Sequence, residues 1–274
     1  MPTHQVTKGY PAIVETVADW GVATIALDIS PYLAGESCIG WEGGQPLQLL
    51  LREEAVKSLL EVDYVLWHLE EDDNHSIRQL DVQTYHPLFT SPSALMSVIE
   101  LEQDIYGLQT ESERLVDAVW SFVGHMWDDA ESIPLEVPTV TEISDTYTEL
   151  VGQHHAEVYL QALEQSWPLQ LSDVALDATE LAVMVAAHAD TQLRELSIWG
   201  EDVEISTRAD FSRAKTRLVE LGIVETSTDH MGIGRPRLRL HMVDIEQISS
   251  DRPEVNIVLE LLRSLEAEAP VDSN

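Results

Sequence analysis

Interleaved strand and helix patterns over residues 1–130, then three helices and an arginine-alternating hairpin over 176–243, predict two domains. The first is an α/β domain and the second a winged helix-turn-helix of α+β type. A further observation concerns the second domain: seven of the chain's 15 Lys and Arg lie in residues 205–240. The expected organisation is an α/β domain over 1–130, a helical connector over 131–175, the winged helix over 176–243, and a carboxy-terminal helix and tail over 244–274.

The elements follow from local pattern. "YPAIVETVADW" (10–20) has helical spacing, and "GVATIALDI" (21–29) is a continuous apolar run suited to a buried strand. Glycines at 40, 43 and 44 mark a turn before "PLQLLLRE" (46–53), a second strand. "EEAVKSLLEVDY" (53–64) predicts a helix, "VLWHL" (65–69) a strand, and "SIRQLDVQTY" (76–85) alternates at period two. "EDDN" (71–74) reads as a solvated turn between strands. A helix is expected at 111–127, a proline-marked crossover at 133–140, and helical spacing over 141–166.

Around Leu176 the pattern changes. Asp177 with Glu180 three residues on forms a capping box, and Leu176 and Leu181 occupy hydrophobic-staple positions. A short helix over "SIWGEDV" (197–203) follows. Thr207 and Asp210 form a second cap, opening a helix to Leu221, which Gly222 is placed to stop. Phe211, Ala214, Leu218 and Leu221 recur at spacings of three, four and three, which predicts a core-facing stripe. "IVETS", a reversal at "HMGIG" and "RPRLRLHM" then predict a hairpin, with Leu238, Leu240 and Met242 alternating with Arg237, Arg239 and His241. "PEVNIVLELLRSLEAEA" (253–269) predicts a last helix, with Val255, Val258, Leu259, Leu262 and Leu265 along one side. That side either caps its own domain or pairs with a second copy.

Composition narrows the setting. The formal charge is −34 over 274 residues, with 49 acids against 15 bases, only three of them Lys. With 44% apolar residues and seven Trp the chain still has the means to pack cores, so disorder does not explain the charge. Acid-rich, lysine-poor composition suits a cytoplasm at molar salt, where charges are screened within about 3 Å; a haloarchaeal source is expected. A single cysteine, Cys38, excludes an internal disulfide and a cysteine zinc ribbon. No segment approaches 18 uncharged apolar residues and the first 20 lack a signal-peptide stretch, so a cytoplasmic location without membrane contact is expected.

Against that background, residues 205–240 carry seven bases and four acids, +3, while the other 238 residues sum to −37. Nucleic acid is the expected partner of such an island. On the helix over 207–221, small, hydroxyl and guanidinium side chains share the face opposite the core stripe, the composition needed to enter a groove and reach phosphates and base edges. The candidate contacts are Thr207, Arg208, Ser212, Arg213, Lys215, Thr216 and Arg217 on this helix, with Arg235, Arg237 and Arg239 on the wing beside it. High salt weakens counterion release, with log K falling by about 0.9 per phosphate for each log unit of salt, so direct base contacts should dominate. The competing reading is that these arginines pair with neighbouring carboxylates on a winged helix that serves protein contacts.

"LSIWGEDVEISTRADFSRAKTRLVELGIVETSTDHMGIGRPRLRL" (196–240) resembles the carboxy-terminal part of TbsP-like haloarchaeal transcriptional regulators. The matching motifs are Trp199–Val203, Phe211–Leu218 and Gly234–Leu240, and "LQLLLREEAVKSLL" and "WDDAESIPLEVPTVTEI" extend the similarity upstream. The resemblance implies a regulatory α/β domain joined to a DNA-binding winged helix, and a tie to sugar metabolism. "TDHMG" in the wing and the helix over 253–269 depart from the family pattern.

"HLEEDDNH" (68–75) offers metal-binding residue types, but an acidic chain makes such turns throughout; no metal and no cofactor are expected. His154 and His155 are adjacent on a helix, about 100° apart, and read as surface or packing residues. Gly43-Gly44 and the glycines at 232–234 match no phosphate loop, and no nucleophile elbow occurs, so no catalytic residue is proposed and the chain is expected not to be an enzyme. The alternative is a metabolite-binding or enzymatic α/β protein. A homodimer is expected, because helix-turn-helix proteins read two-fold sites, and residues 1–130 are expected either to regulate by sensing a small-molecule effector, as α/β domains bind ligands at strand ends, or to oligomerise.

Overall fold

The structure, a computed structural model, describes residues 4–41, 45–71, 75–80, 85–101, 104–171, 176–229, 237–248 and 250–268. The chain divides into two compact units, Met1–Glu136 and Val137–Asn274.

The first unit is a mixed sheet with helices. Its elements are β1 (His4–Lys8), α1 (Tyr10–Ala18), β2 (Thr24–Leu27), α2 (Pro31–Ile39), β3 (Leu47–Arg52), α3 (Glu53–Leu60), α4 (Asp63–Glu71), β4 (Ser76–Leu80), β5 (Leu88–Thr90), β6 (Leu95–Glu100), β7 (Ile105–Thr110), α5 (Glu113–Asp129) and β8 (Glu131–Ile133). The sheet order is β1-β7-β6-β5-β2-β3-β4-β8. β2, β3 and β4 are parallel, and the remaining pairings are antiparallel. Every residue of β2 is buried, as a parallel strand covered on both faces requires. Val123 and Trp127 of α5 pack on Ile25, Leu27, Leu50 and Leu80 of the sheet.

The strand expected at 65–69 is helical, part of α4, and the helix expected at 53–64 breaks after Leu60. Tyr64, Val65, Leu66, Trp67 and Leu69 are all buried, so this short helix lacks a polar face and its periodicity disappears. The "EDDN" stretch starts on the last residue of α4, Glu71, and 72–74 lie outside the described residues.

The second unit comprises α6 (Val140–Val151), α7 (Gln153–Gln170), α8 (Ala178–His188), α9 (Leu193–Asp202), α10 (Arg208–Glu220), the hairpin β9 (Val224–Asp229) and β10 (Arg237–Met242), and α11 (Pro253–Glu268). The single helix expected at 141–166 is two helices, because Gly152 adopts φ 86° between them. α8 is buried from Ala178 to Ala187 and forms the centre, with α7, α10, α11 and β10 packed on it. Of the region expected as a connector, residues 131–136 belong to the first unit, where β8 pairs with β4, and the remainder to the second. Val255, Val258, Leu259 and Leu262 of α11 are buried against α7 and α8, so this helix caps its own domain.

Aromatic rings fix the helix arrangement. Tyr147, Tyr159, Trp199 and Phe211 meet in tilted and edge-on contacts across α6, α7, α9 and α10. Tyr147 and Tyr159 donate their phenols to the Ala182 and Ala178 carbonyls at 2.8 and 3.1 Å, and the Trp199 indole donates to Thr146 Oγ1 at 3.0 Å, so the buried rings keep their polar atoms satisfied. Gly200 lets α9 and α10 approach, since a Cβ there would overlap the Phe211 ring.

Candidate nucleic-acid interface

α10 begins where its cap requires. Thr207 Oγ1 accepts from the Asp210 backbone N–H at 3.3 Å, and Asp210 Oδ2 accepts from the Thr207 N–H at 3.1 Å. α8 opens the same way on Asp177 and Glu180, with Leu176 and Leu181 buried beside the cap. Phe211, Ala214 and Leu218 face the core, whereas Leu221, expected there too, is 41% exposed. The helix ends at Glu220 and Gly222 turns the chain at φ 71°, so the buried residue that continues the core is Ile223.

The opposite face presents Ala209, Ser212, Thr216 and Val219 to solvent at spacings of three, four and three. Thr216 Oγ1 donates to the Ser212 carbonyl at 2.8 Å, and Thr207 is exposed at the head of the helix. Arg208 and Arg213 flank the stripe with exposed side chains, while Lys215 and Arg217 are half-buried.

The arginines have partners on the protein itself. Arg208 Nε lies 2.6 Å from Glu201 Oε2 of α9, and the Arg213 guanidinium pairs with Asp210 one turn earlier. Arg217 Nη1 donates to both carboxylate oxygens of Glu180, at 2.7 and 2.8 Å. Glu180 is buried; that burial, then the neighbouring Asp177, raise its carboxyl above its usual range, and Arg217 acts against both. Asp177, Glu180 and Asp210 with Arg213 and Arg217 line an open cleft of about 340 Å³ between α8 and α10.

The wing is an antiparallel ladder running from Arg237↔Asp229 to Met242↔Val224. Leu240 is fully buried, Arg237 is exposed, and Arg239 and His241 are half-buried. Arg237 Nη1 donates to Gln192 Oε1 at 3.3 Å and the Arg239 guanidinium to the Asp190 carbonyl. The Asp190 carboxylate pairs with His241, whose Nε2 meets Ser227 Oγ at 2.5 Å. Asp190 holds this position in the left-handed region, φ 60°. Arg235 and the glycines at 232–234 lie outside the described residues.

Carboxylates reach the α10 arginines from elsewhere in the fold, Glu180 from α8 and Glu201 from α9. Tertiary pairing of this kind leaves no local signal. Only Glu180 was marked, and then as a capping residue.

Elsewhere, the buried Cys38 has its thiol raised by burial, which removes it as a nucleophile. His154 is exposed, and His155 packs with its Nε2 3.0 Å from His188 Nδ1. Among the described residues, no three His, Cys, Asp or Glu gather as a metal site, and no helix is long and apolar enough to cross a membrane.

Residues 42–138 match the family model described as transcriptional regulator TbsP-like, N-terminal, and residues 139–259 that described as transcriptional regulator TbsP-like, C-terminal HTH domain. No curated protein sequence matches the chain. Among solved structures, TrmBL2, an archaeal chromatin protein with a novel mode of DNA binding, matches 47% of this chain at 12% identity and TM-score 0.36. The match spans 53% of TrmBL2, about half its length. The phospholipase D family member Nuc from Salmonella typhimurium matches 48% of this chain and 99% of its own, at 8% identity and TM-score 0.36. NucT from Helicobacter pylori matches 48% and 100%, at 8% identity and TM-score 0.34.

Proposed function

The chain belongs to the TbsP-like transcriptional regulators, and from that premise we propose that it reads duplex DNA sequence with α10 in the major groove. The carrying observation is the exposed Ala209–Ser212–Thr216 stripe between Arg208 and Arg213, in a chain of charge −34 that gathers bases here. Small residues allow close approach, hydroxyls meet phosphates or base edges, and the two exposed guanidiniums reach guanine. Lys215, Thr207, Arg237 and Arg239 border the stripe and contact the backbone, with Arg235 joined to them on its place in the sequence alone. Arg217 supports the helix from behind.

The acid-rich, lysine-poor composition supports a haloarchaeal cytoplasm, and a place in the control of sugar metabolism rests on the resemblance given by the sequence motifs alone. A second copy would cover the apolar row of the first unit, where the 64% exposed Val6 lies opposite the 42% exposed Leu108. A small-molecule effector would bind at the carboxyl ends of β2 and β3. There the Asp28 carboxylate, at φ 51°, accepts from Arg52 and from the Tyr85 N–H at 2.9 Å. On this reading the chain regulates and does not catalyse.

Selection of random duplexes on the purified protein in about 2 M KCl, where screening lengths fall below about 3 Å, tests the proposal. Enrichment of a compact motif supports it. A second reading, a winged helix used for protein contacts, draws on the self-pairing of Arg208, Arg213 and Arg217; recovery of no motif by the folded protein favours it.

A further inference from the structure

We propose that two copies of this chain meet through one face of the first unit's sheet, so that α5 of each lies over β6, β7 and β1 of the other. The inference rests on the two-copy reading above and gives it a surface and a geometry.

The sheet is half covered on that face. Strand pairing sets Val6, Leu108, Ser97, Leu88, Leu27 and Leu50 in one row, because directly paired residues point to the same side. Leu27 and Leu50 are buried with Val123 and Trp127 of α5, and Leu88 packs at the margin of that cluster. Beyond Leu88 the row leaves the helix: Leu108 is 42% and Val6 64% exposed. On the opposite face the same strands are closed, with Thr7, Gly107 and Val98 buried. Three strands about 4.8 Å apart leave a strip roughly 10–14 Å wide, which is the width of one further helix.

α5 has the matching excess. Val116, Val123 and Trp127 are buried, whereas Leu115 and Phe122, seven residues apart, are 47% and 54% exposed. Val119 and Met126, half-buried at the intervening turns, continue that row. The Arg78 guanidinium of β4 lies 4.7 Å from the Trp127 ring, while Phe122 meets Tyr85, just ahead of β5, at 6.1 Å. The exposed row therefore turns away from β4 and toward the strip. Each copy has strands that need a helix and a helix row that needs strands. A two-fold axis supplies both at once, which is the self-complementarity of an isologous interface and favours a second copy as the occupant.

Charge points the same way. β1, β6 and β7 hold a single acid, Glu100 at a strand end, in a chain with 49 acids, and Lys8 is matched by Asp104 at 2.8 Å. Two copies of charge −34 repel each other, and least across a neutral strip.

Sedimentation of the full chain without DNA, in about 2 M KCl, is expected to show a dimer. Phe122→Asp should raise its dissociation constant at least about thirtyfold. Val6→Glu, on an edge strand that tolerates charge, should weaken it too, with circular dichroism unchanged in both variants. Leu60→Asp, at a 40% exposed site outside the surface, should leave the dimer intact. In a mixture of Leu108→Cys and Phe122→Cys chains, where Cys38 is buried, a short bis-maleimide should join one variant to the other. A monomeric wild type, a dimer indifferent to both Phe122→Asp and Val6→Glu, or a mixture that stays unjoined would overturn the proposal. DNA reading fails separately: a dimeric wild type that selects no motif would remove that function and leave this surface standing.

Discussion

Arg217 Nη1 donates to both oxygens of the buried Glu180 carboxylate, so one contact joins α10 to the cap of the central helix. Removing the guanidinium strands Glu180. Arg217→Ala should cost about 2–4 kcal/mol of stability, below the upper range for buried pairs because Arg217 itself is partly solvated. Chemical denaturation of the variant checks this. Its DNA affinity, corrected for folding, should fall equally on all sequences.

Arg213 occupies the exposed stripe instead. Arg213→Ala should leave stability within about 0.5 kcal/mol of wild type and weaken specific binding by roughly 1–3 kcal/mol. Equal loss on every duplex would reassign it to a phosphate.

Gly200 sits where α9 crosses α10, against Phe211. Gly200→Ala should destabilise by about 1–3 kcal/mol through overpacking, although alanine is the better helix former. Gly200→Ala combined with Phe211→Leu should recover part of the loss.

His155, half-buried against His188, has a pKa lowered from 6.5 first by burial and then by the charge of His188. The folded state thus favours neutral His155. Its contribution is present above the ordinary histidine pKa and is lost as pH falls through the lowered value. His155→Asn should flatten the stability profile below about pH 6.5 relative to wild type, by at most about 1.4 kcal/mol per pH unit. Parallel profiles would show that the pair does not titrate.

Local signals carried the second unit well. Both capping boxes, the Gly222 stop and the buried Phe211, Ala214 and Leu218 stripe stand where their spacing places them, because each involves residues within one or two turns. Leu221 lies past the end of α10 and escapes that logic. In the first unit, β2 and β3 were legible as apolar runs, but the run at 65–69 proved helical. Short elements buried all round lose the period that separates helix from strand. β1 is held by β7 far along the chain, and the meander β5–β7, though its strands pair with their sequence neighbours, carried no expectation. The same limit explains the site. Arg208, Arg213 and Arg217 were legible as an island of charge, while Glu201 and Glu180 meet them only through the packing of α8, α9 and α10.

The most direct test is photo-cross-linking from Ser212→Cys. Cys38 is buried with its thiol raised, so the new cysteine is the reactive one. With a short photoactivatable probe on that thiol, the account predicts cross-links to bases at one fixed position within the selected motif. Bound duplex without base cross-links, or cross-links scattered along it, would contradict the placement of α10 in the major groove.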